Sequence, residues 1–178
     1  MAASKFRRDA VEGDVKYRLL LKLFKGEKFT GNATLTFNLK AKLKGFHIDI
    51  DADKITHLII NAQFISDEDI ARNWNGKFLL LDEKYLDAGE NTVNIKYEST
   101  YRKDGCGFHS LMDKDGLQYL YSTSEPYYAN RLFPNFDQPN IKASLELSVI
   151  APSDWNVITN EAGKHEKLDE FEEAEGDH

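Results

Sequence analysis

One pair of neighbouring side chains has the residue types used in zinc sites and in nucleophilic catalysis. Cys106 and His109 bring a thiol and an imidazole within three residues of each other. A structural zinc site needs four such ligands, and the sequence has no second pair at ligand spacing. A Cys–His nucleophile needs an orienting third group and an oxyanion site, which the sequence does not display. We therefore predict a loop here, because Gly105 and Gly107 permit backbone conformations that other residues avoid.

A second segment approaches the zincin motif H-E-x-x-H. That motif places two imidazoles one helical turn apart on a helix, with a glutamate base between them. Glu166 follows His165, but Asp169 stands where the second histidine is required, and the surroundings are acidic. The sequence therefore predicts no catalytic residues in this segment and at most weak binding of a metal ion.

Three alternating aspartates resemble the opening of a calcium loop. Asp49, Asp51 and Asp53 have the required spacing, but Lys54 replaces the glycine at position six and Ile60 replaces the glutamate at position twelve. A strand explains the alternation better. The sequence also lacks a glycine-rich phosphate loop and a G-x-S-x-G elbow. It contains no self-sufficient catalytic set.

The elements that must position these residues are predicted mainly as strands. Apolar and polar residues alternate with a period of two over 15–23 and 33–39, on both sides of a turn at 25–28, which predicts a β-hairpin. The same rule predicts further strands that include Phe46, Leu58, Phe78, Val93, Leu117, Ala143 and Trp155. Only 66–72 has the pattern of a helix.

The positions of the prolines divide the chain. All four lie between 126 and 152, so the earlier strands can occupy the centre of a sheet. We predict an all-β fold, an antiparallel saddle-like sandwich crossed on its surface by the segment 125–139. The β-rich domain is expected over 1–160, followed by an acidic loop or tail over 161–178.

Charge and hydropathy exclude several classes of partner. Residues 161–178 contain eight acids and two lysines, so the other 160 residues carry a net charge of only −1 of the total of −7. Basic residues scattered among acids form no surface that follows phosphates, so we expect no nucleic-acid partner. No apolar run is long enough for a membrane span. The N-terminus lacks the apolar stretch of a signal peptide, and the single Cys106 suits a reducing compartment, so we expect a cytoplasmic protein.

The most specific pattern in the sequence covers 119–143. It reads YLYSTSEPYYANRLFPNFDQPNIKA and resembles the signature of the N-terminal domain of the aminopeptidase N family of zinc metallopeptidases, roughly Y-x-Y-[ST]-x-x-E-P-x-x-A-[NR]-R-x-F-P-C-F-D-[EQ]-P-x-x-K-A. The segments 89–93, 105–109 and 151–161 also match the pattern of that family. The resemblance therefore extends over nearly the whole chain.

The resemblance implies a β-rich domain that packs over a separate, thermolysin-like catalytic domain. The family carries its zinc ligands, its catalytic glutamate and its G-x-M-E-N substrate loop in that second domain. None of these motifs occurs in this sequence. We therefore expect no cofactor in this chain, with zinc bound by the catalytic domain that is missing from it.

The resemblance also implies two substrate-binding residues. Glu125 matches the glutamate before proline whose carboxylate would hold the free α-ammonium of a peptide and so select its amino terminus. Thr123 stands where the family often has glutamine and can form one hydrogen bond. Asn135 replaces the cysteine of the signature. The structural alternative for Glu125 is a carboxylate that caps local amides at the end of a strand.

Two functions remain open on this basis. The chain is either the substrate-anchoring front part of an aminopeptidase that releases N-terminal amino acids from peptides, without activity of its own, or a stand-alone, non-catalytic interaction module. In the family, the acidic segment leads into further strands. A sheet without them has an open edge, which we predict at 155–159 and which would bind a protein partner.

Overall fold

The structure is a computed structural model that describes residues 2–167. Within this range the chain forms two short helices, two 3₁₀ turns and ten strands. In chain order they are α1 Ala2–Ala10, β1 Val11–Leu23, β2 Lys28–Leu39, β3 His47–Asp49, β4 Lys54–Ile60, β5 Gln63–Phe64, α2 Asp67–Asn73, β6 Phe78–Leu80, the 3₁₀ turn Glu83–Tyr85, β7 Gly89–Thr100, β8 Gly107–Met112, β9 Gln118–Thr123, the 3₁₀ turn Ala129–Arg131 and β10 Ala143–Ile150.

A six-stranded sheet in the order β10-β1-β2-β7-β4-β5 is the frame of the molecule. The predicted hairpin is confirmed: β1 and β2 pair antiparallel from Val11 opposite Leu39 to Leu23 opposite Phe29. All neighbours in this sheet are antiparallel except β1 and β10, which run parallel. The all-β, mostly antiparallel fold class is therefore confirmed.

The core lies on one face of this sheet. Along β2, buried and half-buried residues alternate, so the side chains of Phe29, Leu35 and Phe37 all point inward. The pair β3–β6 and the segment after Phe133 form the second layer, and the ring of Phe136 lies 5.2 Å from that of Phe37. Burying each such side chain stabilises the fold by about 1.5–3 kcal/mol.

The helices agree only partly with the sequence pattern. The predicted helix at 66–72 is confirmed as α2, where the Ser66 hydroxyl accepts a hydrogen bond from the Asp69 N–H. The helix α1 was not predicted, because its short apolar stretch gives no clear period of 3.6. It is held by a buried arginine, Arg7, whose partners lie far along the chain. Both helices in this part of the chain are far too short to cross a bilayer.

The strand predicted around Trp155 is wrong. The segment 151–160 contains turns but no strand, and the Trp155 N–H donates to the Pro152 carbonyl instead of to a neighbouring strand. Alternation alone does not make a strand, since the backbone also needs a partner to pair with. Within the described residues the outermost strands of the sheet are β10 and β5, so the open edge is not at 155–159 as predicted.

The predicted acidic tail is only partly described. Residues 161–167 form neither helix nor strand in the structure. The rest of that segment, 168–178, lies outside the described residues. The proposed boundary between a domain over 1–160 and a tail over 161–178 thus stays a prediction.

Candidate functional site

The two substrate-binding residues implied by the sequence lie at one end of a two-stranded ribbon. The ribbon consists of β8 and β9, and its last pair is Gly107 opposite Thr123. Glu125 follows in the turn that leaves β9. Thr123 is half-buried and Glu125 is exposed. No residue in the described range forms a hydrogen bond or an ion pair with the Glu125 carboxylate, and the nearby Tyr128 N–H donates to the Ser124 carbonyl.

Exposed aromatic rings lie along β9 and in the turn that follows it. Tyr119, Tyr121 and Thr123 occupy alternate positions of β9 and therefore share one face. Nearly half of the surface of Tyr119 and Tyr121 is exposed, and 63% of that of Tyr127. Tyr127 stands two residues after Glu125 in the turn that leaves β9, so an exposed ring and the carboxylate belong to the same turn.

The opposite face of the ribbon packs on the main sheet. The ring of Phe108 lies 5.1 Å from that of Phe29 and 5.4 Å from that of Tyr101, and all three are buried. At the other end, the Gln118 side-chain amide donates to the Gly26 carbonyl at 2.6 Å. The ribbon is thus attached to the β1–β2 hairpin along its length.

An arginine connects the turn after Glu125 to two other parts of the chain. The Arg131 Nη1 donates to the Asp104 carboxylate at 2.9 Å, and its Nε lies 3.6 Å from a carboxylate oxygen of Asp51. Its guanidinium lies 4.6 Å from the centre of the Tyr128 ring. Asp51 also accepts a hydrogen bond of 2.7 Å from Arg102. These ion pairs are three-quarters buried at the arginines and at Asp51, so solvent screens them only in part.

The segment after Arg131 is held by two buried tyrosine hydroxyls. Tyr97 donates to the Leu132 carbonyl at 2.6 Å, and Tyr17 accepts from the Phe136 N–H at 2.9 Å. Burial raises the pKa of Tyr17 to about 12 and also raises the pKa of Tyr97. Both hydroxyls therefore keep their protons throughout the physiological range and remain hydrogen-bonding groups.

A buried polar cluster holds the far end of the same segment. Arg7 on α1 forms an ion pair of 2.5 Å with Asp49 and donates to the Gln138 side chain at 2.8 Å. The same Asp49 oxygen accepts the Asp137 N–H at 3.0 Å. Burial, followed by the charge of Arg7, lowers the pKa of His47, and burial raises the pKa of the Asp137 carboxyl.

The three aspartates that resembled a calcium loop have structural partners. Asp49 binds Arg7, Asp51 binds Arg102, and Asp53 accepts a hydrogen bond from the Thr100 hydroxyl at 2.6 Å. Their carboxylates thus serve three separate contacts and do not converge on one cation.

The Cys–His pair and the start of the zincin-like segment, as far as residue 167, also lack catalytic partners among the described residues. The His109 Nδ1 accepts the Gly105 N–H at 2.9 Å, and the centre of its ring lies 4.8 Å from that of Tyr121, with the two rings tilted by 42°. Cys106 is a half-buried thiol. His165 and Glu166 are exposed in the described part of the chain. Asp169, the remaining residue of that interpretation, lies outside it.

The ionic contacts of Arg131 and Arg7 were not predicted from the sequence. An arginine inside the proline-rich and aromatic segment 125–139 was a usable signal, because a cation in an apolar segment needs partners. Arg7 had no such signal, since it stands in a run of charged residues near the N-terminus.

Comparison with known proteins decides the family. The model of the Peptidase M1 N-terminal domain matches residues 14–175. This chain belongs to that family. The resemblance drawn from the signature at 119–143 is thereby confirmed.

Individual M1 aminopeptidases show the same relationship. The chain is 37% identical to aminopeptidase N of Streptomyces lividans over 73 residues, which are 40% of this chain and 8% of that protein. It is 26% identical to glutamyl aminopeptidase of Mus musculus over 160 residues, or 82% of this chain and 17% of that protein. It is 36% identical to a probable M1 family aminopeptidase 1 of Encephalitozoon cuniculi over 76 residues, 42% of this chain and 8% of that protein. The chain thus spans less than a fifth of the length of these relatives.

This M1 N-terminal domain has no metal centre within residues 2–167, since no group of three or more His, Cys, Asp or Glu side chains is placed to hold an ion. The zinc of the family belongs to its catalytic domain. The chemistry that the described residues offer is a carboxylate presented to solvent beside aromatic rings.

Proposed function

We propose that this chain is the substrate-anchoring N-terminal domain of a zinc aminopeptidase, which releases N-terminal amino acids from peptides. The observation that supports the proposal most strongly is the match of the M1 N-terminal domain over 14–175. In this proposal Glu125 holds the α-ammonium of the peptide, Thr123 adds one hydrogen bond, and the chain alone cleaves nothing. The protein works in the cytoplasm, and its partners are peptide amino termini, not nucleic acids or membranes.

The position of Glu125 suits this role physically. Its carboxylate is exposed and bonds to no other described residue, so no internal contact has to be broken before a ligand binds. A peptide with a free amino terminus supplies three N–H donors and a positive charge, whereas an acetylated or internal peptide supplies neither. Recognition by charge therefore favours the ends of peptides over internal bonds.

The test is Glu125→Gln in the longest protein that the gene encodes. We expect kcat/KM for a substrate with a free amino terminus to fall roughly 10- to 100-fold, the equivalent of a charge-assisted hydrogen bond. Cleavage of the N-acetylated substrate should not change, so the preference for free amino termini is lost. Glu161→Gln, at another exposed glutamate, is the matched control and should leave both rates unchanged. Stoichiometric zinc with turnover in the purified 178-residue chain would contradict the proposal.

A second candidate function is a non-catalytic module that binds an extended segment of another protein. It is favoured by β10, which pairs with β1 on one side and has no neighbour on the other within residues 2–167. Leu145 and Leu147 point to the core side, opposite the buried Tyr17 and Leu19, yet are 50% and 39% exposed. A partner strand with alternating apolar residues would cover them and pair with the free edge.

Leu145→Lys combined with Leu147→Lys would test this second function. Charge on the apolar side of the edge should abolish co-purification of a stoichiometric partner, while Ser144→Lys with Ser148→Lys, on the other side of β10, should retain it. A solitary chain that stays monomeric at all concentrations would argue against this function.

A further inference from the structure

The Arg131 side chain contacts three separate segments around the turn that carries Glu125. It closes the 3₁₀ turn Ala129–Arg131, and only 23% of its side chain is exposed. Its guanidinium binds Asp104 in the loop before β8 and lies near Asp51 after β3, and its face covers the Tyr128 ring. One side chain thus joins the loop before the ribbon, the segment after β3 and the turn.

The aliphatic part of Arg131 also touches the ribbon directly. A Cβ atom added to Gly107 would lie 2.5 Å from the Arg131 Cβ and 2.9 Å from its Cδ, so the arginine lies flat against the Gly107 backbone. Gly107 also has a φ of +76°, which favours glycine. Its partner across the ribbon is Thr123, two residues before Glu125.

Glu125 therefore lies between two points that Arg131 fixes. Before it, Thr123 is paired with Gly107, on which the arginine stem rests. After it, Tyr128 stacks under the guanidinium and donates its N–H to the Ser124 carbonyl at 2.9 Å. An exposed carboxylate without contacts of its own takes its position from the backbone on either side. The contacts of Arg131 with that backbone therefore determine where the charge of Glu125 lies.

We propose that Arg131 is a positioning residue for amino-terminus recognition: it holds the turn 124–128 and thereby places the Glu125 carboxylate. This inference rests on the proposed function for its ligand, although the hold on the turn can be measured without one. Lysine cannot replace the arginine here, because a point charge neither lies flat on Tyr128 nor reaches two carboxylates as a planar fork. The Arg102 side chain donates to Asp51 as well, but in the described residues its hydrogen bonds go to Asp51 alone and not to Asp104, so it provides a matched control.

The first measurement is amide hydrogen exchange in the 178-residue chain. In Arg131→Lys we expect exchange at 123–128 to become about tenfold faster, since the turn loses its clamp while the main sheet stays protected. Arg102→Lys should leave these amides unchanged. Equal exchange at 123–128 in both variants and the native chain, whatever the change in melting temperature, would overturn the inference.

The second measurement is KM in the longest protein that the gene encodes. Arg131→Lys should raise KM for a substrate with a free amino terminus about tenfold and change kcat less, because a displaced carboxylate binds the ammonium poorly. Arg102→Lys should keep the native KM; an equal rise in both variants would overturn the positioning role. If Glu125→Gln leaves KM unchanged, the proposed function fails, and the exchange data alone decide whether Arg131 holds the turn.

Discussion

Among the residues that the structure describes, Arg7 forms the most buried ion pair. Its side chain is only 7% exposed and that of Asp49 17%, and both also bind the segment 137–138. A buried ion pair adds little stability compared with apolar packing, but removing one partner leaves the other charge buried and unpaired. The main effect of the pair is therefore to place α1 against the segment 137–138, and its contribution to net stability is small.

Arg7→Met should lower the free energy of unfolding by about 3 kcal/mol, because Asp49 keeps its charge and loses its counter-ion. Lys5→Met, on the same helix but with a lysine side chain that is 80% exposed, is the control and should leave the free energy of unfolding nearly unchanged. Urea titration of both variants measures the difference. Equal midpoints for the two variants would show that the Arg7 contact is not formed in solution.

At the scale of elements, the contact of β2 with β7 explains how the segment after Arg131 is bound to the main sheet. Gly31 lies in β2 opposite Tyr97 of β7, and a Cβ there would come within 2.2 Å of the Tyr97 ring. The missing side chain lets the ring cross β2 and donate its hydroxyl to the Leu132 carbonyl. A glycine, which is usually unfavourable in the centre of a strand, is thus required by the neighbouring strand.

Gly31→Ala should destabilise the domain by about 1–3 kcal/mol, because the methyl group displaces the Tyr97 ring. In a Tyr97→Leu background the same substitution should cost much less, since the space is then free. Thermal unfolding of the two single variants and the double variant gives this coupling. Additive losses would contradict the proposed contact.

At the scale of the whole molecule, the sequence predicted the elements that are formed by residues close to each other along the chain. The period of two gave the β1–β2 hairpin, and Ser66 marked the start of α2. The residues around Trp155 alternate in the same way but form no strand, so the prediction of a strand there was wrong. Glu125 came from the family signature alone. The contacts that hold the turn around Glu125 could not be predicted, because Arg131 binds carboxylates that precede Arg131 by 27 residues or more in the sequence.

The parallel pairing of β1 with β10 also fixes the order of events during translation. Val15 meets Ala143, so β1 leaves the ribosome with one side unpaired and keeps it so until nearly the whole domain has been made. Strand pairs between such distant residues form slowly and leave nascent chains open to aggregation. The hairpin can form early, but the turn that carries Glu125 is completed only when Arg131 has followed it out of the tunnel. A nascent chain arrested before residue 131 would thus contain the residues of the β1–β2 hairpin but not the ion pairs of Arg131 around the turn 124–128.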